Sequence, residues 1–160
     1  MVFKSNKSTL LGLLLLTVYF LQFFLKLDWS WLSHLQQQEI YKRWSGVLLA
    51  TFILFQWLLT FTRVIKNWRK YNITIQNLHK WLGAVSPLFF YIHSTQLGYG
   101  YLLLMSYVFL FNTLLGYLNL DVLKNNSDIL FKGWMIAHVA LSLIITFLLV
   151  FHVSMVFYYK

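Results

Sequence analysis

No cysteine occurs in the 160 residues of this chain. That excludes disulfides, thiolate metal sites and covalent attachment of a c-type haem. Acid is almost as scarce, with four Asp and Glu against thirteen Lys and Arg. None of the four (Asp28, Glu39, Asp121, Asp128) falls in a long apolar run, so a buried metal site built on carboxylates has no ligands to draw on. Proline occurs once, at Pro87. The basic segment RVIKNWRKYN at 63–72 has no glycine-rich phosphate-binding pattern. No basic stripe with interleaved aromatics stands outside the apolar runs, which sets nucleic-acid binding aside.

Apolar sequence is what the chain has in excess. Hydrophobic residues make up 59% and charged residues 11%, where a soluble domain carries about 25% charged. The mean hydropathy is +0.65. Uncharged runs extend over Ser8–Leu25, Trp44–Thr62, Trp81–Leu120 and Gly133–Tyr159. About 20 apolar residues span a bilayer as a helix. The third run is long enough for two spans, and TQLGYGY at 95–101 supplies the turn through Gly98 and Gly100. The expectation is therefore an all-α integral membrane bundle of five transmembrane helices. They lie at about 8–25, 44–62, 78–96, 99–120 and 134–157, in a single membrane domain over 1–160. The first span follows Lys4 and Lys7 like a signal peptide, but LKLDWSWLSHLQ after it has no small-x-small cleavage site, so an uncleaved anchor is expected.

Basic residues set the orientation. With the N-terminus inside, the inner face holds Lys4, Lys7, Arg63, Lys66, Arg69, Lys70, Lys80, Lys124 and Lys132. The outer face holds Lys26, Lys42, Arg43 and Lys160, and the C-terminus emerges outside. The net charge of +9 then meets an anionic inner leaflet. A bacterial inner membrane suits this arrangement. The 20% aromatic content suits interfacial belts and packing around large apolar cofactors.

Four histidines carry the chemistry. His79 and His93 stand fourteen residues apart, and so do His138 and His152. Fourteen residues is close to four helical turns, which puts each pair along nearly one face, about 21 Å apart in height. Spans three and five are separated by one helix and so are expected to run parallel. Matching depths then pairs His79 with His138 at an inner position, and His93 with His152 at an outer one. Facing imidazole pairs are what two b-type haems require. A lone intramembrane histidine has plainer uses, in cross-helix hydrogen bonds or a water-lined cavity; the repeat of spacing and depth favours ligation. His34, in the loop 27–43, has no such partner.

Weaker signals surround these four. Gly83 follows His79 by four residues, where a missing side chain lets a porphyrin lie close, or simply lets helices pack; Gly46 and Gly116 are open to the same two readings. Lys80 and Lys132 stand near the inner histidines, suited to haem propionates. Pro87 is expected to kink span three. Gln22, Gln56 and Asn112 are polar in apolar spans, and cross-helix hydrogen bonding is their expected role.

The His-x13-His pattern on two spans one helix apart, with HKWLGAVSPLFFYIH at 79–93, resembles the di-haem cores of the cytochrome b superfamily. Both the ferric reductase and NADPH oxidase-like membrane domains and the N-terminal half of quinol-oxidising cytochrome b are similar to it, over roughly residues 77–155. The resemblance implies two haem b groups on His79, His93, His138 and His152, and electron transfer across the bilayer. The first branch also implies a sixth span and a flavin domain, and the second a further helical half with quinone motifs. None of these is present in the sequence. The donor and acceptor are expected on other redox subunits, a flavoprotein, a periplasmic carrier or a membrane quinone, with either direction of flow open. A histidine-lined transporter for metal ions and a structural subunit of a respiratory assembly are the readings from other classes.

Overall fold

The computed structural model describes residues 7–118 and 128–159. Lys4, Lys124, Lys160 and the 121–127 part of the inner loop lie outside the described residues. Within them the chain is helical, with no strand. The helices are α1 (Lys7–Phe24), α2 (Ser30–Gln37), α3 (Glu39–Phe55), α4 (Leu58–Val64), α5 (Asn72–His93), α6 (Tyr101–Tyr117) and α7 (Asp128–Tyr158). A 3₁₀ turn over Lys66–Tyr71 joins α4 to α5. The chain divides into two compact units, one over Lys7–Thr95 and one from Gln96 onward.

Three helical stretches are long and apolar enough to cross a membrane: Lys7–Phe24, Glu39–Val64 and Asp128–Tyr158. Large apolar side chains stand exposed along them, among them Leu10, Phe24, Leu54, Ile136 and Phe147. Such surface is costly in water and ordinary in lipid. The two remaining expected spans differ for physical reasons. α5 has 22 residues, but its first turns, NITIQN, are polar. α6 is largely apolar and stops at 17 residues.

In the first unit, α1 and α3 both pack along α5. Tyr19 of α1 sets its ring edge-on against Phe90 and Tyr91, and Phe52 of α3 meets Phe89 with ring centroids 4.6 Å apart. α3 and α5 are antiparallel, since Ser45 lies by His93 while Gln56 lies by His79. In the second unit α6 and α7 are antiparallel for the same kind of reason. Tyr101 meets His152, Asn112 meets Ser142, and the Trp134 indole donates to the Leu115 carbonyl at 2.8 Å.

The connections hold more structure than expected. The segment read as an outer loop, 27–43, contains α2 and the first turn of α3, so His34 lies on a helix, where it is exposed. The TQLGYGY turn is as expected, with Gly98 at φ 77° and Gly100 at φ 58°, a region where glycine carries no Cβ penalty. Helix α5 runs unbroken through Pro87. Proline cannot donate to the carbonyl four residues back, and the Ser86 hydroxyl donates to that Gly83 carbonyl instead, at 2.8 Å.

Helix α1 ends in a Schellman turn. The Leu27 amide donates to the Gln22 carbonyl and the Lys26 amide to the Phe23 carbonyl, with Lys26 at φ 52° in the position where glycine is favoured. The Gln22 side chain caps the same turn through the Leu27 carbonyl, so it serves its own helix end and not a neighbouring helix as expected. A lysine in left-handed backbone costs roughly 1 kcal/mol or more. Lys26→Gly is expected to stabilise the protein by about 1 kcal/mol, read as a higher Tm in detergent; an unchanged or lower Tm would remove strain at Lys26 from the account.

Candidate functional site

Each histidine-bearing helix presents both of its histidines to the helix packed antiparallel against it. All four rings are half-buried. The fourteen-residue spacing therefore does what the helical repeat requires of it within each unit.

His79 is placed by a break in the neighbouring helical stretch. α3 stops at Phe55, and the amides of Gln56 and Trp57 bond three residues back, to the Ile53 and Leu54 carbonyls. This local tightening turns the Gln56 carbonyl toward α5, where it stands 3.3 Å from His79 Nδ1. A carbonyl only accepts, so the ring nitrogen facing it carries the proton. The lone pair of the ring is then on Nε2.

His93, the last residue of α5, is placed by a short relay. The Ser45 hydroxyl donates to the Tyr41 carbonyl at 2.7 Å and stands 3.1 Å from His93 Nδ1. With its proton so used, the serine oxygen accepts from the ring, and the same tautomer results. Beside it Gly46 lets the ring approach: a Cβ there would lie 3.1 Å from His93 Cε1.

The second unit repeats the logic with other residues. Gly116 of α6 faces His138, where a Cβ would lie 3.3 Å from Cε1. Trp134, one turn before His138 on α7, stacks on its ring with an interplanar angle of 2°. Ser142 donates to the His138 carbonyl at 2.8 Å and accepts from the Asn112 amide at 3.0 Å, which is the cross-helix bond expected of Asn112. The Tyr101 hydroxyl lies 3.4 Å from His152 Nδ1, a long contact.

His79 and His93 have the ring arrangement that haem ligation uses, each with a fixed partner at Nδ1. Axial ligation takes neutral imidazole through one nitrogen while the other bonds a fixed neighbour. Among the described residues no three of His, Cys, Asp and Glu gather where they could hold a metal ion. A bis-histidine haem iron takes only two protein ligands, its remaining ligands coming from the porphyrin.

The other expected site residues are placed less tightly. Lys80 is half-buried beside His79, and Lys132 is exposed on the first turns of α7. A Cβ added at Gly83 would have nothing within 4 Å. The glycines that touch histidine rings are Gly46 and Gly116. Ser45, Tyr101 and the Gln56 carbonyl were not singled out as histidine partners in the sequence. Only the polar character of Gln56 in an apolar span pointed toward one of them.

No protein-family model matches the chain, and no curated protein or solved structure matches it either.

The tautomers can be read without any cofactor. With ¹⁵N-labelled histidine, His79 and His93 are expected to show Nδ1 protonated, and Ser45→Ala is expected to move the His93 signals alone. Gly46→Ala is expected to shift His93 as its ring gives way, while Gly83→Ala leaves all four rings unmoved. The reverse sensitivity of the two glycines would contradict the packing described.

Proposed function

We propose that this chain is a five-span membrane subunit that carries electrons across the bilayer on two b-type haems. The observation that carries the reading is a repeated one. Two helices each hold two histidines at the same spacing, and on each a neighbouring helix supplies polar or glycine contacts fitted to the rings. A cross-helix hydrogen bond alone accounts for one such histidine, not for four in two matched ladders.

His79 and His138 would hold the inner haem, and His93 and His152 the outer one. The pairing follows from depth along spans three and five. Pairing His79 with His152 would stretch one haem over about 20 Å of height. Bound haem would supply one-electron oxidation and reduction at iron. The protein's own residues do the rest. The Gln56 carbonyl and Ser45 orient the rings of His79 and His93 and raise their basicity. Gly46 and Gly116 admit the rings between helices. Lys80 and Lys132 offer positive charge to propionates, and the apolar spans exclude water. Donor and acceptor come from partner subunits, a carrier protein or quinone in the lipid.

Purified protein is expected to carry two haem b per chain with low-spin six-coordinate spectra. His79→Ala and His138→Ala are expected to remove one spectral component, and His93→Ala and His152→Ala the other. A preparation that binds no haem, although haem was in good supply during expression, would end the reading. A component lost in common to His79→Ala and His152→Ala would overturn the pairing alone.

The basic residues Arg63, Lys66, Arg69 and Lys70 form the proposed inner docking face. Neutralising all four is expected to slow reduction of the inner haem by an acidic donor and flatten its salt dependence, with haem content unchanged. Unaltered rates would leave these charges only their role in setting topology.

A further inference from the structure

Helix α5 ends at His93, and a helix end leaves its last carbonyls without backbone partners. In most helices water or a glycine turn satisfies them. Here one side chain from another helix does so. The Gln36 amide donates to the Tyr91 carbonyl at 2.8 Å and to the Ile92 carbonyl at 3.1 Å. Its oxygen accepts from the Thr95 amide at 3.2 Å and from the Thr95 hydroxyl at 2.9 Å. Both ends of one amide group thus straddle the terminus, one holding the last turn and the other the first residues beyond it. The Tyr41 hydroxyl adds a second bond to the Ile92 carbonyl at 3.0 Å, and the Tyr41 carbonyl is the group that orients Ser45 toward His93.

Helix α2 is built to hold Gln36 there. Leu32, one turn earlier and on the same face, is 6% exposed, while Trp31 and His34 point outward. The helix rests its Leu32–Gln36 face on the first unit and leaves the opposite face open. The Cα of His93 belongs to the very turn that Gln36 grips, whereas its ring is held from α3. Any shift of the α5 terminus against α3 would swing the ring about its bond to Ser45.

We propose that Gln36 is a positioning residue for the His93 site: it clamps the end of α5 and so fixes the orientation in which His93 presents Nε2. The consequence for α2 is that its seating is transmitted to that histidine through one side chain. The clamp is read from hydrogen bonds within the first unit, and its effect on a haem rests on the function proposed above.

Two substitutions and two readouts test it. Gln36→Leu removes donor and acceptor together, and Gln36→Glu keeps an acceptor for Thr95 while losing the donor to the carbonyls. In Gln36→Leu, amide exchange at Thr95 is expected to quicken roughly tenfold. The low-spin resonance and midpoint potential of the haem that His93→Ala removes are expected to shift, with the other haem unaltered. Gln36→Glu is expected to restore Thr95 protection while leaving the haem shift in place. Gln36→Leu with both haems unaltered would overturn the positioning role, whatever the exchange shows, and leave Gln36 a helix cap. Wild-type protein that holds no haem, yet whose Thr95 exchange responds to Gln36→Leu, would sink the haem reading and not the clamp.

Discussion

An imidazole in an apolar slab has two nitrogens of opposite character, and neither finds water there. The hydrogen-bonding one must be given a partner by the chain, because an unsatisfied polar group in hydrocarbon costs several kcal/mol. Once Nδ1 is committed to a fixed neighbour, the side on which Nε2 stands is decided as well. Much of the local structure around His79 and His93 serves that single requirement. The interruption between α3 and α4 has a cost in helical hydrogen bonds that an uninterrupted span would not incur. What it returns is the Gln56 carbonyl, turned toward His79. The Ser45 relay does the same for His93 without breaking a helix, because a serine can pass its own proton to the preceding turn.

The two units solve a common packing problem with different residues. A histidine ring held between helices needs room at the neighbour's backbone, and glycine supplies it at 46 and at 116. Around that shared device the surroundings diverge: serine and a backbone carbonyl in the first unit, a stacked indole and a long tyrosine contact in the second. On the proposed function each haem takes one ring from each unit. The difference that matters is then between the pair His79 and His138, held by the Gln56 carbonyl and a stacked indole, and the pair His93 and His152, held by Ser45 and Tyr101. A stronger hydrogen bond from Nδ1 makes the imidazole a better donor to iron and favours the oxidised state. Ligands held differently give each haem its own potential, and a potential difference is what drives an electron one way.

The helical, apolar character of the chain was legible because the signal is long and redundant. α1 and α7 are uncharged or nearly so over many turns, and no tertiary contact is needed to recognise them. The histidine ladders were legible because a fourteen-residue interval survives translation into geometry whatever the helix packs against. Three things were not. The interruption at Gln56 and Trp57 has no proline or glycine to announce it. α2 was hidden because its eight residues, SWLSHLQQ, are few and polar and sit between long apolar runs. Gly83 drew attention by its interval from His79, whereas Gly46 and Gly116 carry the contacts, because proximity across helices depends on register between elements that a single sequence does not display.

On the proposed function, the placement of the ladder along its helix bears on how electrons would cross the bilayer. On α5 the two histidines are about 21 Å apart in height, within a hydrocarbon layer of about 30 Å. His79 lies two turns from the polar start of the helix and His93 at its last residue. If α5 crosses the bilayer as proposed, the two positions would stand near opposite boundaries of the layer, with only a few ångströms beyond each. A single central site would leave roughly 15 Å of hydrocarbon on either side. Two sites divide the crossing into one internal step and two short exchanges at the faces. On that arrangement the outer exchange happens where α5 terminates and α2 reaches it through Gln36, and the inner one near the basic turn at Lys66–Tyr71. On the proposed function, the elements that would meet partners are thus the ones that hold the histidines nearest to them.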